Sequence, residues 1–329
     1  MKYIVILGDG MPDYVLKELE GRTPLQFANT PNMDLLATGG EFGMVKNVPE
    51  GMPAGSDVAN LSVFGYDPGR YYTGRSPLEA AAMGIEMAAG DVSFRCNLVT
   101  LSEHEPYERK IMLDYSSDEI STEEARELME EVSERLGSAF LNFYAGMSYR
   151  HLMIWKDGPA DFQLTPPHDI TGREIGDHLP RGTHNKVLLD LMLKSAAFLG
   201  KHEVNRKRVE RGLRPANSIW LWGEGRKPYL DSFRDKYGLE GSVISAVDLI
   251  KGIGMLAGLD VAVVPGATGN LDTDYRAKAQ IALQELHAGK DFVYIHIEAP
   301  DEAGHRGELK NKIRAIEEID EKVVGEMLR

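Results

Sequence analysis

The sequence predicts an α/β protein, a doubly wound sheet domain interrupted by an inserted α+β domain, on three observations. Short, nearly unbroken apolar runs, Tyr3–Leu7 and Phe292–Ile297, each end in an acidic, glycine-containing turn. Such runs fit strands buried on both faces of a parallel sheet. At both ends of the chain strands alternate with helical segments, the rhythm of a parallel sheet covered by helices. The middle is patterned differently and is rich in proline and glycine. The expected division is one discontinuous domain, residues 1–80 and 216–329, with residues 81–215 inserted into it.

Taken in order, the first strand runs into Gly8-Asp9-Gly10 and a loop with Pro12 and Asp13. Pro31 and Gly39-Gly40 bracket a short helix, proline early and glycine late. Residues 49–56 form a Gly/Pro-rich loop, and Ser56 starts a helix that Gly65 closes. Strands are expected at Val92–Thr100 and His151–Trp155. Between them Ser121-Thr122-Glu123-Glu124 has the Ser-x-x-Glu form of a capping box, opening an acidic amphipathic helix to about Leu136. Residues 157–184 carry four prolines and four glycines and read as loop. A helix at about 186–200 precedes the basic stretch Lys201–Arg214. The α/β rhythm then returns, with strands at Ser218–Trp222, Ser242–Ala246, Val261–Val264 and 292–297 and helices near 247–257 and 275–288. Leu309, Ile313, Ile316, Val323 and Met327 recur at helical spacing among charged neighbours, as on a one-faced surface helix.

Composition narrows the function. With 43% hydrophobic and 27% charged residues over 329 positions, the chain suits a globular protein with a sizeable core. Its net charge of −14 argues against general nucleic-acid or anionic-membrane binding. Cys96 is the only cysteine, so no intrachain disulfide forms and a reducing compartment is expected. No leader-like apolar segment opens the chain, and no run approaches the ~20 apolar residues of a spanning helix. A cytoplasmic enzyme is the expectation. The sequence leaves the oligomeric state open.

Ligands of open α/β sheets gather beyond the carboxyl ends of the strands. Asp9, between two glycines at a strand tip, is there either a metal ligand or a turn cap. Asp301 and His305 are four apart, so on a helix they share one face, as ligands for a borderline metal or as a surface ion pair. Ser56 at a helix start meets unpaired N–H groups, as a phosphoryl acceptor or as a plain N-cap. No Gly-x-x-x-x-Gly-Lys-Ser/Thr pattern occurs, which argues against a P-loop kinase.

Jointly these segments resemble the archaeal-type, cofactor-independent phosphoglycerate mutases, members of the alkaline-phosphatase-like metalloenzymes. The resemblance rests on Gly8–Asp13, Ala54–Leu61 with Gly65-Tyr66-Asp67-Pro68, Tyr72–Pro77, Phe94-Arg95-Cys96-Asn97, Gly269–Thr273 and His296–His305, in order along the chain. It implies interconversion of 2- and 3-phosphoglycerate through a phosphoserine at Ser56, without 2,3-bisphosphoglycerate. It implies two divalent ions, Mn²⁺ first and Zn²⁺, Mg²⁺ or Co²⁺ as alternatives, with Asp9 and Ser56 on one and Asp301 and His305 on the other. Arg95, Arg150, His151 and Arg208 are implied as ligands of substrate phosphate and carboxylate, and Lys251 as a phosphate partner at the metal site. The family also has a later Asp-His pair and a further His, with no counterpart before Arg329, so low activity is the expectation for these residues alone. Two alternatives share the scaffold: a homoserine kinase-like phosphotransferase, as proposed for a bacterial clade that looks similar around Ser56, and an inactive metal-site remnant.

Overall fold

The computed structural model describes residues 1–329. Its strands are β1 (Tyr3–Gly8), β2 (Val92–Leu101), β3 (Met112–Asp114), β4 (Leu141–Tyr144), β5 (Arg150–Trp155), β6 (Phe162–Gln163), β7 (Arg181–Gly182), β8 (Ser218–Arg226), β9 (Gly241–Ile244), β10 (Asp260–Val261) and β11 (Phe292–Ile297). The chain divides into two units, residues 1–71 with 229–329, and residues 72–228.

The first unit holds a parallel sheet in the order β1-β11-β9-β10. Every residue of β11 is buried. Its alternation assigns the two faces. Val293, Ile295 and Ile297 pack with Ala279, Ala282 and Ile319 from the helices Tyr275–His287 and Leu309–Ile319. On the opposite face Tyr294 stacks on Phe64, centroids 4.0 Å apart, and its hydroxyl donates to Asn60 Oδ1 at 2.6 Å. The helix Ser56–Val63 therefore covers that face, and the sheet carries helices on both sides. Gly65 stops the helix at φ +81°, where a Cβ would lie 2.0 Å from the Tyr237 hydroxyl.

β1 departs from its sequence reading. Its apolar run predicts burial on both faces, yet Tyr3 and Ile4 are 45% and 40% exposed. β1 pairs with β11 alone and lies at the sheet edge. The strand expected at Val261–Val264 shrinks to Asp260–Val261.

The last helix also differs. It passes through a π-turn at Asp320–Val324, and Asp320 is buried among apolar residues rather than exposed. Its carboxylate accepts from Met33 N–H at 2.7 Å, Asn32 N–H at 3.2 Å and Asn32 Nδ2 at 2.9 Å. Thr30 provides no side-chain cap to the helix Pro31–Gly39, so Asp320 caps that N-terminus from almost three hundred residues away. A negative charge there also meets the positive end of the helix dipole. Asp320→Ala is expected to cost about 1–2 kcal/mol, since it removes a cap and leaves half-buried donors unpaired. Urea denaturation measures this, and a loss under about 0.5 kcal/mol would show that the cap carries little.

The second unit is built on antiparallel pairing. β2 is buried throughout and pairs with β5 and β8, β3 adds to β2, β4 adds to β5, and β6 pairs with β7. Its core joins Phe94, Leu98 and Trp220 of the sheet to Leu128 and Val132 of the helix Thr122–Leu136 and Leu188 and Met192 of the helix Asn185–Leu199. The units divide at 71/72 and 228/229, not at 80/81 and 215/216. β8 continues to Arg226 along β2, and Ser76 donates to Ser93 O at 2.9 Å, so one flank extends the antiparallel sheet and the other packs on it. The capping box is half formed. Ser121 Oγ accepts from Glu124 N–H at 3.2 Å, but the Glu124 carboxylate turns to Arg208 and Arg211 instead of back to Ser121. No helix is long and apolar enough to cross a membrane.

Candidate metal centre and phosphate-binding residues

In the first unit the parallel register pairs Gly8 with Ile297, and Asp9 N–H continues the ladder to Ile297 O at 2.9 Å. Asp9 thus stands beside the tip of β11. Gly10 follows at φ +67°, where any Cβ would fall 2.4 Å from Asp301 Cα. A side chain at position 10 would push the two strand tips apart. The helix Ala299–His305 begins directly after β11 and places Asp301 and His305 on one face, Oδ2 and Nε2 3.3 Å apart. Asp9, Asp301 and His305 come together in this way. Asp301, Gly10 and His305 line an open cleft of ≈ 500 Å³ whose wall also carries Asp13 and Lys312, themselves an ion pair.

Two further residues belong to this cluster and were not singled out in the sequence. Asp9, His296 and Glu298 each offer a ligand atom within 4.8 Å of the others. His296 and Glu298 lie two apart at the end of β11 and so point to the same side as Tyr294. That period-two relation was legible, but only the pairing with β1 shows that Asp9 faces it. Burial pushes the Glu298 carboxyl up to about 7, with Asp9 and Asp301 adding to the effect and His296 opposing it. Burial, then the Asp9 charge, also raises the Asp301 carboxyl above its ordinary range. Glu298 Oε2 is buried with no hydrogen-bond partner. Three crowded carboxylates, one with an orphaned oxygen, suit a divalent cation, which would offset their repulsion.

Ser56 is the first residue of its helix, whose N-cap Gly55 has no side chain to satisfy the first-turn N–H groups. Asn60 ties this turn to β11: its Nδ2 donates to Ser56 O at 2.9 Å while its Oδ1 accepts from Tyr294. Lys251 lies on the helix Asp248–Leu256 that follows β9 and pairs with Asp248 at 3.1 Å. A second lysine, Lys278, is buried beneath β11 and donates to His296 O at 3.2 Å. Burial pushes its amine down to about 8, Glu298 opposing and Lys251 adding to the shift.

In the second unit Glu79 is the hub. Arg75 Nε lies 3.1 Å from one carboxylate oxygen and Arg95 Nε 2.9 Å from the other. Arg95 is buried, its guanidinium 4.4 Å over the Trp222 ring, and Arg150 is exposed, 4.8 Å over Tyr149. The rings of Tyr149, Tyr115, His168 and Trp222 form an edge-to-face series between these two arginines. Burial pushes Arg95 down to about 10, with Glu79 opposing, so it remains a cation at neutral pH. Arg75 was legible only as part of the Tyr72–Pro77 motif. Burial alone would raise the Glu79 carboxyl, but Arg95 and Arg75 outweigh it and hold it below its ordinary range.

The Glu79 shift has a pH signature. A carboxyl depressed in the folded state contributes stability that is present above its unfolded value of about 4.3 and is lost as pH falls through its folded value. Glu79→Gln is therefore expected to be less stable than the parent at pH 7, with the gap narrowing below about pH 4. Urea midpoints measured from pH 3 to 7 check this, and a gap independent of pH would contradict it.

Two expected substrate ligands are corrected. Arg208 is buried, with Nε donating to Arg214 O at 3.0 Å and the two terminal nitrogens committed to Glu124 and Ser117 O. It holds the fold together and presents no free edge to a substrate. Four neighbours in that basic stretch are paired as well: Arg206 and Lys207 with Glu203, Arg211 with Glu124, Arg214 with Asp114. His151 is 1% exposed, accepts from Gly146 N–H at Nδ1, and is pushed down to about 3 by burial. A buried, neutral imidazole adds no positive charge for an anion.

Comparison with known proteins identifies the lineage. Residues 37–205 match the family model described as 2,3-bisphosphoglycerate-independent phosphoglycerate mutase. A Geobacter sulfurreducens protein named as a probable mutase of this kind is 54% identical over 328 residues, covering 100% of this chain and 82% of that one. A Methanosarcina barkeri protein with the same mutase name is 52% identical, covering 100% and 81%. Among solved structures, a Pyrococcus horikoshii protein superposes with a TM-score of 0.80 at 31% identity, covering 99% of this chain and 78% of that chain. The cofactor-independent phosphoglycerate mutase of Thermoplasma acidophilum gives 0.58 at 28%, covering 100% and 83%. Matched by the family model over half its length and by half-identical relatives over all of it, this chain belongs to the 2,3-bisphosphoglycerate-independent phosphoglycerate mutase family.

Proposed function

We propose that this protein interconverts 2- and 3-phosphoglycerate through a phosphoserine at Ser56, with a divalent metal and without 2,3-bisphosphoglycerate. The observation that carries the reading is the crowd of Asp9, Glu298 and Asp301 at two adjacent strand tips beside His305, in a chain of this family. Asp9 with the Ser56 hydroxyl would hold one divalent ion and Asp301 with His305 a second, Mn²⁺ by preference. When bound, such an ion lowers the pKa of a ligating hydroxyl and neutralises phosphoryl oxygens. Ser56 Oγ attacks the phosphorus, the bond to one glycerate oxygen breaks, and that oxygen takes up the proton the serine gives off. The other glycerate hydroxyl then attacks the phosphoserine, and Ser56 recovers a proton as the phosphoryl group leaves. The positive end of the Ser56 helix dipole suits the phosphoserine. Arg75, Arg95 and Arg150 supply the cations that recognise phosphate and carboxylate.

The test is incubation with 3-phosphoglycerate and Mn²⁺, with 2,3-bisphosphoglycerate removed, following 2-phosphoglycerate by NMR and trapping phosphoenzyme for peptide mapping. Slow product formation with label at Ser56 is expected. Turnover that requires 2,3-bisphosphoglycerate would sink the reading. So would phosphorylation of homoserine from ATP without mutase activity, or a protein with neither bound metal nor phosphoserine.

A further inference from the structure

His296 sits in the acid cluster but lies outside the proposed ligand set of Asp9, Ser56, Asp301 and His305. It is 1% exposed, with Nε2 3.2 Å from Asp9 Oδ2 and 3.6 Å from Glu298 Oε2. Its other nitrogen, Nδ1, lies 3.3 Å from Ser245 Oγ. A carboxylate only accepts, so the Nε2 that faces Asp9 carries a hydrogen, and Ser245, which accepts from Val247 N–H at 3.0 Å, has its own hydrogen to give to Nδ1. A neutral imidazole that accepts at Nδ1 carries its hydrogen at Nε2. In that tautomer Nε2 donates to Asp9 and has no lone pair for a metal. Lys278 fixes the same residue from behind by donating to its backbone carbonyl.

The geometry points to His296 as the positioning residue of Asp9: the chain Val247 N–H, Ser245, His296 orients one carboxylate oxygen of Asp9 and leaves the other for the cation. This rests on the metal reading above and adds a role to that site. Partners that orient a metal-ligating side chain change affinity by about 10–100-fold when removed.

Three measurements test it. In the metal-free protein, long-range ¹H–¹⁵N NMR of the His296 ring reports the tautomer directly. The Nε2–H form is expected, and the Nδ1–H form would overturn the inference whatever the protein binds. Calorimetric titration with Mn²⁺ alone then compares the parent with His296→Leu, His296→Gln and Ser245→Ala, each checked for retained fold by circular dichroism. His296→Leu is expected to weaken Mn²⁺ binding about 10–100-fold, and His296→Gln, which keeps an N–H donor, to recover part of the loss. Equal affinity in the parent and all three variants would overturn the inference while leaving the metal reading standing. A parent that binds no Mn²⁺ would overturn both. Pulsed EPR of the Mn²⁺-loaded His305→Ala protein should show no ¹⁴N coupling. A coupling that persists there and disappears with the additional His296→Leu change would make His296 a ligand and overturn the assignment.

Discussion

In a parent that also carries the family's later Asp-His pair and His, Ser56→Ala is expected to lower kcat on the order of 10⁴-fold or more while leaving folding nearly unchanged. The loss belongs in kcat because the covalent step disappears with the acceptor oxygen. No neighbour substitutes for it: Ser62 is six positions along the same helix, more than a turn and a half away. Folding should survive because Gly55, not Ser56, occupies the cap position, and Asn60 reaches the Ser56 backbone carbonyl rather than its hydroxyl. Steady-state assays and urea denaturation of the same preparation separate the two quantities. A variant with normal turnover would remove Ser56 from the mechanism. A variant with a collapsed denaturation midpoint would make its role structural.

Asp301→Asn is expected to weaken Mn²⁺ binding by more than the ~10²-fold that an orienting partner alone is worth, because a charged ligand is lost outright. The metal-free protein should move the other way. Asp301 is disfavoured as an anion by burial and by the charge of Asp9, so a neutral isostere relieves the native state. Its raised carboxyl makes the ionised form a destabilising one at neutral pH, and the amide removes that penalty. Thermal melts with and without Mn²⁺ give both readings at once. The variant should melt no lower than the parent without metal and gain far less from metal. Equal metal-induced shifts in the two proteins would exclude Asp301 as a ligand.

These two effects have opposite signs in the same region because the strand tips combine tasks. The glycine at position 10 allows Asp301 to approach Asp9 closely, and that approach is unfavourable for two carboxylates without a cation. At the wall of the same cleft Lys312 pairs with Asp13. Burial would raise the Asp13 carboxyl, but its bonds to Lys312 and to the Tyr14 N–H outweigh this and hold it below its ordinary value.

The sequence by itself determined the parts that depend on neighbours a few residues apart. The apolar run of β11, the helix from Ser56 to the glycine stop, the amphipathic helix after Ser121 and the one-face relation of Asp301 and His305 are all periodicities or end signals. Tertiary structure decided what depends on which strand lies beside which. The pairing of β1 with β11 brought His296 and Glu298 to Asp9 and left Tyr3 and Ile4 at an edge. The pairing of β8 with β2 moved residues 218–226 into the second unit and set Trp222 under Arg95. Local pattern shows that Arg208 and His151 can carry charge. It does not show that Glu124 and Ser117 have already taken the guanidinium, or that burial keeps the imidazole neutral. A side chain's type fixes the chemistry it can do, but its solvation and charged neighbours come from contacts up to hundreds of residues away and decide whether that chemistry is free to act.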